Sequence, residues 1–120
     1  MKLNHLDIQV PDPRETAAFF ALHFQFVQLG NQHSPAIAIL EGPGPFTLVI
    51  QKCKDPSEKY PEGFHVGFIV DDVAAVHAKH AAIKTALPEL GDVQVSGRGT
   101  MFYFLAPGGV LVEVSCRARG

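Results

Sequence analysis

The chain is short of cysteine, of charge of either sign and of long apolar runs, and each shortage excludes a class of protein. Only Cys53 and Cys116 occur in 120 residues, too few for a small secreted disulfide scaffold or a cysteine-built zinc site. Any metal chemistry falls to histidine and carboxylate. Ten Lys and Arg against twelve Asp and Glu leave a net charge of −2, which gives no electrostatic footing for nucleic acid or an anionic membrane. No apolar stretch approaches the ~18 residues of a membrane helix, and Met1-Lys2-Leu3-Asn4-His5 lacks the apolar run of a secretion signal. The expectation is a soluble cytoplasmic protein. With 47% hydrophobic and 18% charged residues, the chain can build one core without staples.

What is present is a duplication. His5-Leu6-Asp7-Ile8-Gln9-Val10-Pro11-Asp12 is echoed by His65-Val66-Gly67-Phe68-Ile69-Val70-Asp71-Asp72, so His, Val and Asp recur 60 positions apart, half the chain. Such a repeat predicts two similar supersecondary units. Each opens with a strand of period two and continues into a helix. Asp12 is a good N-cap, Pro13 suits the first helical position, and Glu15 completes a capping box. Asp71 or Asp72 caps the second helix, on which Val76, His80, Ile83 and Leu87 share a face. Three shorter strands follow in each half, the last two joined by glycine-bearing turns at 42–45 and 107–109. The reading is an α+β fold of two βαβββ units, forming a cupped mixed sheet with the helices outside. A single domain over 1–120 holds unit one at about 1–55, a polar connector at about 52–63 and unit two at about 63–117.

Parity then sorts the side chains. Leu6, Ile8 and Val10 must face the helix, which leaves His5, Asp7 and Gln9 on the other face of the first strand. The same argument separates His65 and Gly67 from Val66, Phe68 and Val70, and Glu113 from Val110, Val112 and Val114. In the fourth strand Thr47, Val49, Gln51 and Cys53 lie opposite Phe46, Leu48 and Ile50. Four potential ligands, His5, Gln51, His65 and Glu113, share the non-helical faces. Two imidazoles and a carboxylate hold a divalent transition metal with coordination positions left open. An open site polarises a carbonyl, stabilises an enediolate or, with iron, activates dioxygen. A lone carboxylate among Val110, Leu111, Val112 and Val114 also needs a partner or a wet cavity.

These residues resemble the vicinal-oxygen-chelate superfamily of glyoxalases, extradiol dioxygenases, fosfomycin-resistance enzymes and bleomycin-binding proteins. Residues 4–10 resemble its opening strand, Phe19-Phe20 through Phe26 its first helix end, Gly63-Phe64-His65-Val66-Gly67-Phe68 its second-unit opening, and Phe102-Tyr103-Phe104-Leu105 through Glu113 its closing hairpin. The resemblance implies His5, His65 and Glu113 as metal ligands, with Gln51 as the fourth, or Val49 or Cys53 if the first hairpin shifts the register. The implied cation is Zn, Ni, Mn or Fe, and Glu113 is the implied catalytic base. The implied assembly is a homodimer acting on a small-molecule substrate. Gln25 stands where many members have glycine. Ser96 to Met101 does not reproduce the potassium loop of fosfomycin-thiol transferases, and Arg117 and Arg119 only partly supply the expected basic residues, which argues against fosfomycin modification.

The leading expectation is a metal-dependent glyoxalase-like lyase or isomerase for a small carbonyl or hydroxy-carbonyl compound. Its rivals are an Fe(II) extradiol-type dioxygenase and a metal-free small-molecule binding protein of the bleomycin-resistance kind. His77 and His80 read as solvated or packed helix residues rather than a metal pair, and Cys53 and Cys116 as ordinary small side chains. Lys52, Lys54, Lys59 and Arg98 are loop cations able to meet an anionic substrate tail. Tyr103 lines the cavity if it faces inward with Met101.

Overall fold

Two capped helices, each following a strand of alternating polarity, set the frame. In the computed structural model, which describes residues 1–118 and so leaves Arg119 outside the described residues, the order is β1 (His5–Val10), α1 (Pro13–His23), β2 (Val27–Leu29), β3 (Ile37–Gly42), β4 (Phe46–Lys52), β5 (His65–Ile69), α2 (Val73–Ala86), β6 (Gln94–Ser96), β7 (Gly99–Leu105) and β8 (Leu111–Arg117). This is βαβββ written twice. The chain divides into two units, Met1–Tyr60 with Ala106–Gly109 and Pro61–Leu105 with the segment from Val110 onward.

In the first unit Asp12 caps α1, its carboxylate accepting from the backbone N–H groups of Arg14 and Glu15, with Pro13 in the first turn. The sheet runs β1-β4-β3-β2, with β1 and β4 parallel and the other pairs antiparallel. Ile8, Val10, Leu40, Leu48 and Ile50 turn inward beneath Ala17 and Phe20 of α1 and are buried. His5, Asp7 and Gln9 are exposed on the other face, as the alternation predicts. Arg14 ties the helix to two strands, donating to Gln28 Oε1 at 3.2 Å and to the Ile37 carbonyl at 2.8 Å. The Ala106–Gly109 turn packs against the same helix. The hydroxyl of Thr16, fully buried, donates to the Pro107 carbonyl at 2.8 Å, and a Cβ on Gly108 would sit 2.7 Å from that hydroxyl and from Val10 Cγ1.

In the second unit Asp72, not Asp71, is the N-cap of α2 and accepts from the Ala75 N–H at 2.8 Å. The sheet runs β5-β8-β7-β6, again with its first pair parallel. Val76 and Ile83 of α2 are buried, as are Phe102, Phe104, Val112 and Val114 of the strands beneath. His80 is a packing residue: its ring stands edge-on to Phe102 at 5.0 Å and its Nε2 donates to the Gly91 carbonyl at 2.7 Å. No described helix is long and apolar enough to cross a membrane.

Candidate functional site: an imidazole–carboxylate pair on the second sheet

His65 opens β5 directly after a tight turn in which the Phe64 N–H bonds the Pro61 carbonyl at 3.1 Å. Gly63 takes φ +84 in that turn, the left-handed region that glycine enters without strain. Its carbonyl thereby meets the ring it precedes by two residues, at 2.8 Å from His65 Nδ1. A carbonyl only accepts, so Nδ1 carries the proton and Nε2 is the free corner of the neutral ring.

That free corner points at Glu113 Oε1, 3.3 Å away. Glu113 lies in β8 opposite Gly67 of β5 and opposite Tyr103 of β7. Burial alone would raise its carboxyl. Hydrogen bonds from the hydroxyls of Tyr103 and Ser115, with the charges of His65 and Arg98, outweigh that and hold it below the ordinary carboxylate range. Tyr103 moves the opposite way. Its hydrogen bond to Glu113, then burial and the Glu113 charge, raise its phenol, against a smaller opposing pull from Arg98. A neutral imidazole lone pair set against a carboxylate oxygen is repulsive, so the pair is stable only with a cation between them, either a proton on Nε2 or a metal ion. Imidazole nitrogen plus carboxylate oxygen is a donor set for a borderline divalent cation, and the anchored Nδ1 is the second contact such a ligand requires. These residues fit a metal.

The first sheet carries the other candidates. His5 Nδ1 lies 3.3 Å from Asn4 Oδ1, so its Nε2 is also the free corner. Asp7, which parity placed on this face without singling it out, accepts from Gln9 Nε2 at 2.8 Å and from Gln51 Nε2 at 2.6 Å. The Gln51 amide nitrogen is therefore engaged, and only its oxygen is left as a donor. Register adds a distinction. Asp7 pairs with Val49 and Gln9 with Gln51, whereas Gly67 pairs with Glu113 and Ile69 with Ser115. By the internal duplication, Val49 answers to Glu113 and Gln51 answers to Ser115. Among the described residues no group of three or more His, Cys, Asp or Glu is gathered at ligating distance; His65 and Glu113 are brought together, and His5 and Gln51 belong to the first unit.

A family model for the Glyoxalase/Bleomycin resistance protein/Dioxygenase superfamily matches residues 2–114. The chain belongs to this superfamily. Among solved structures, a possible glyoxalase from Bacillus cereus is 28% identical, with 97% of this chain and 99% of that chain covered and a TM-score of 0.82. A lactoylglutathione lyase from Agrobacterium tumefaciens is 16% identical, covering 96% and 92%, at TM-score 0.72. The fosfomycin resistance protein FosX from Listeria monocytogenes, complexed with Mn(II) and sulfate, is 22% identical, covering 98% and 90%, at TM-score 0.77. The last two likenesses show the shared fold. No curated protein sequence matches the chain.

Sequence reasoning passed over two groups beside this pair. Tyr103 was placed only conditionally and Ser115 was given no role, yet both lower the Glu113 carboxyl. The usable signal was the hairpin itself, because a turn at 107–109 sets Tyr103 directly across from Glu113.

Proposed function

We propose that the chain is a divalent-metal-dependent enzyme of glyoxalase-like lyase or isomerase type, acting in the cytoplasm on a small carbonyl or hydroxy-carbonyl compound through its neighbouring oxygens. The observation that carries this reading is the His65–Glu113 pair, with Nδ1 anchored and Nε2 turned to Oε1 at 3.3 Å. His5 supplies the second imidazole, from the same chain or from the second copy of a homodimer. Gln51 contributes a fourth donor through its amide oxygen, since the Val49 that answers to Glu113 has none.

When bound, a divalent cation polarises the substrate carbonyl and offsets charge developing on its oxygen. The chain's own residues do the rest. Glu113 carries a proton between adjacent substrate carbons. It is held ionised at neutral pH, the state a base must start from, and desolvation under bound substrate raises its proton affinity towards working pH. Gly67, directly across from Glu113, has open space where a Cβ would stand and leaves room for substrate beside the carboxylate.

Elemental analysis of protein purified without a polyhistidine tag tests the reading, together with the His5→Ala/His65→Ala double variant. The expected result is stoichiometric Zn, Ni or Mn in the native chain and its loss from the double variant. Iron with catechol-dependent oxygen uptake would replace the lyase by a dioxygenase. A metal-free native chain whose small-molecule affinity survives the double substitution would make it a binding protein.

A further inference from the structure

Resting on the metal reading above, we propose that Tyr103 is a positioning residue that fixes His65 and Glu113 in the geometry a divalent cation requires. Tyr103 stands directly opposite Glu113 in the antiparallel β7–β8 pair, so the two side chains share a face at the closest cross-strand spacing. Its phenol faces the Glu113 carboxylate, lowering that carboxyl and being raised by it in turn. Its ring meets that of His65 edge to face, with centroids 5.8 Å apart and planes at 74°. One rigid side chain with two torsions therefore constrains both members of the pair.

The charge of Arg98 pulls the Tyr103 phenol down while Glu113 raises it, so the phenol stands between a cation and the carboxylate on this face. The other neighbour of Glu113 offers no restraint, because Gly67 has no side chain and the space above it is open. Without the phenol, Glu113 loses its cross-strand neighbour and gains room to swing towards that space. Partners that orient metal ligands in this way are worth roughly 10- to 100-fold in metal affinity.

Cobalt(II) titration of untagged, metal-stripped protein, followed by calorimetry and visible absorption, tests the assignment on the native chain, Tyr103→Phe and Tyr103→Leu. Unfolding midpoints of the three metal-free proteins are measured alongside. Tyr103→Phe keeps the ring against His65 and loses only the hydroxyl. It is expected to bind Co(II) about tenfold more weakly, and Tyr103→Leu closer to a hundredfold, with altered visible bands. Tyr103 is half-buried, so neither change opens a core cavity. Native affinity and spectrum in Tyr103→Phe would overturn this proposal alone. A loss of affinity that merely tracks the unfolding midpoints would overturn it too. A native chain that takes up no divalent cation would overturn both this proposal and the metal reading.

Discussion

Gln25 follows the last turn of α1 at φ +61 and is exposed, with no side-chain hydrogen bond among the described residues. Replacing it by glycine changes the backbone term and little else. An L residue in the left-handed region costs about 1–2 kcal/mol relative to the right-handed one. Glycine escapes that cost but gives the unfolded chain about 0.4–1 kcal/mol of extra entropy to lose. Strain relief is the larger effect, so Gln25→Gly should stabilise the fold by about 0.5–1 kcal/mol, roughly 2–5 °C in Tm for a domain of this size. Two controls separate strain from the loss of a long side chain. Gln25→Ala retains the Cβ and should stay within about 0.5 kcal/mol of the native chain, whereas Gln25→Val adds a β-branch at positive φ and should lose about 1 kcal/mol. Urea unfolding and thermal melting, read by circular dichroism at one pH, provide the series. If Gln25→Gly is no more stable than Gln25→Ala, the strain argument is wrong.

Other perturbations follow from the same geometry. Thr16→Val keeps the buried shape but leaves the Pro107 carbonyl without its donor; a loss of about 1–2 kcal/mol is expected in urea unfolding, and an unchanged midpoint would refute it. Gly99→Ala should cost about 3 kcal/mol or more, because the new Cβ would stand 2.2 Å from the Cys116 carbonyl oxygen at φ +137; native-like melting would show that the β7–β8 backbone yields. Glu113 has a carboxyl held below its ordinary 4.5 in the fold. It therefore contributes stability above that pH that disappears as pH falls through the lowered folded value. Glu113→Gln should accordingly flatten the acid limb of stability of the metal-free protein as pH falls below about 5, and parallel pH profiles for the two proteins would contradict this. Tyr60 is raised chiefly by burial, so its stabilising contribution holds below the ordinary phenol value and fades above it. Tyr60→Phe should show a smaller stability loss than the native chain when unfolding is compared at pH 9 and pH 11.

The parts of the fold that were legible in the sequence are those fixed within a few residues. Asp12-Pro13 marks a helix start because capping is local, and Leu6, Ile8 and Val10 announce the buried face of β1 because a strand alternates. The face shared by His65 and Glu113 followed from the same parity. What escaped was register between strands. Val49, Gln51 and Cys53 all lie on one face of the fourth strand, and only the pairing of Asp7 with Val49 shows which of them answers to Glu113. That pairing depends on where the turn after Gly42 releases the chain into Phe46, a tertiary outcome that composition does not encode. The pairing of Tyr103 with Glu113 escaped for the same reason, since it is made across a hairpin rather than along one strand. Gln25 is a converse case: the sequence showed a residue where glycine is usual, and the backbone adopted the glycine-like torsion regardless.

The turn before β5 settles in advance something that many imidazoles must still decide when a guest arrives. Because the Gly63 carbonyl already claims one ring proton, His65 has a single neutral tautomer and a single outward corner as soon as the chain has folded. No proton has to migrate around that ring, and no rotation has to be frozen out, at the moment of capture. An incoming cation has only to displace whatever proton sits on the corner, so uptake should be coupled to acidity while leaving the surrounding backbone where it was.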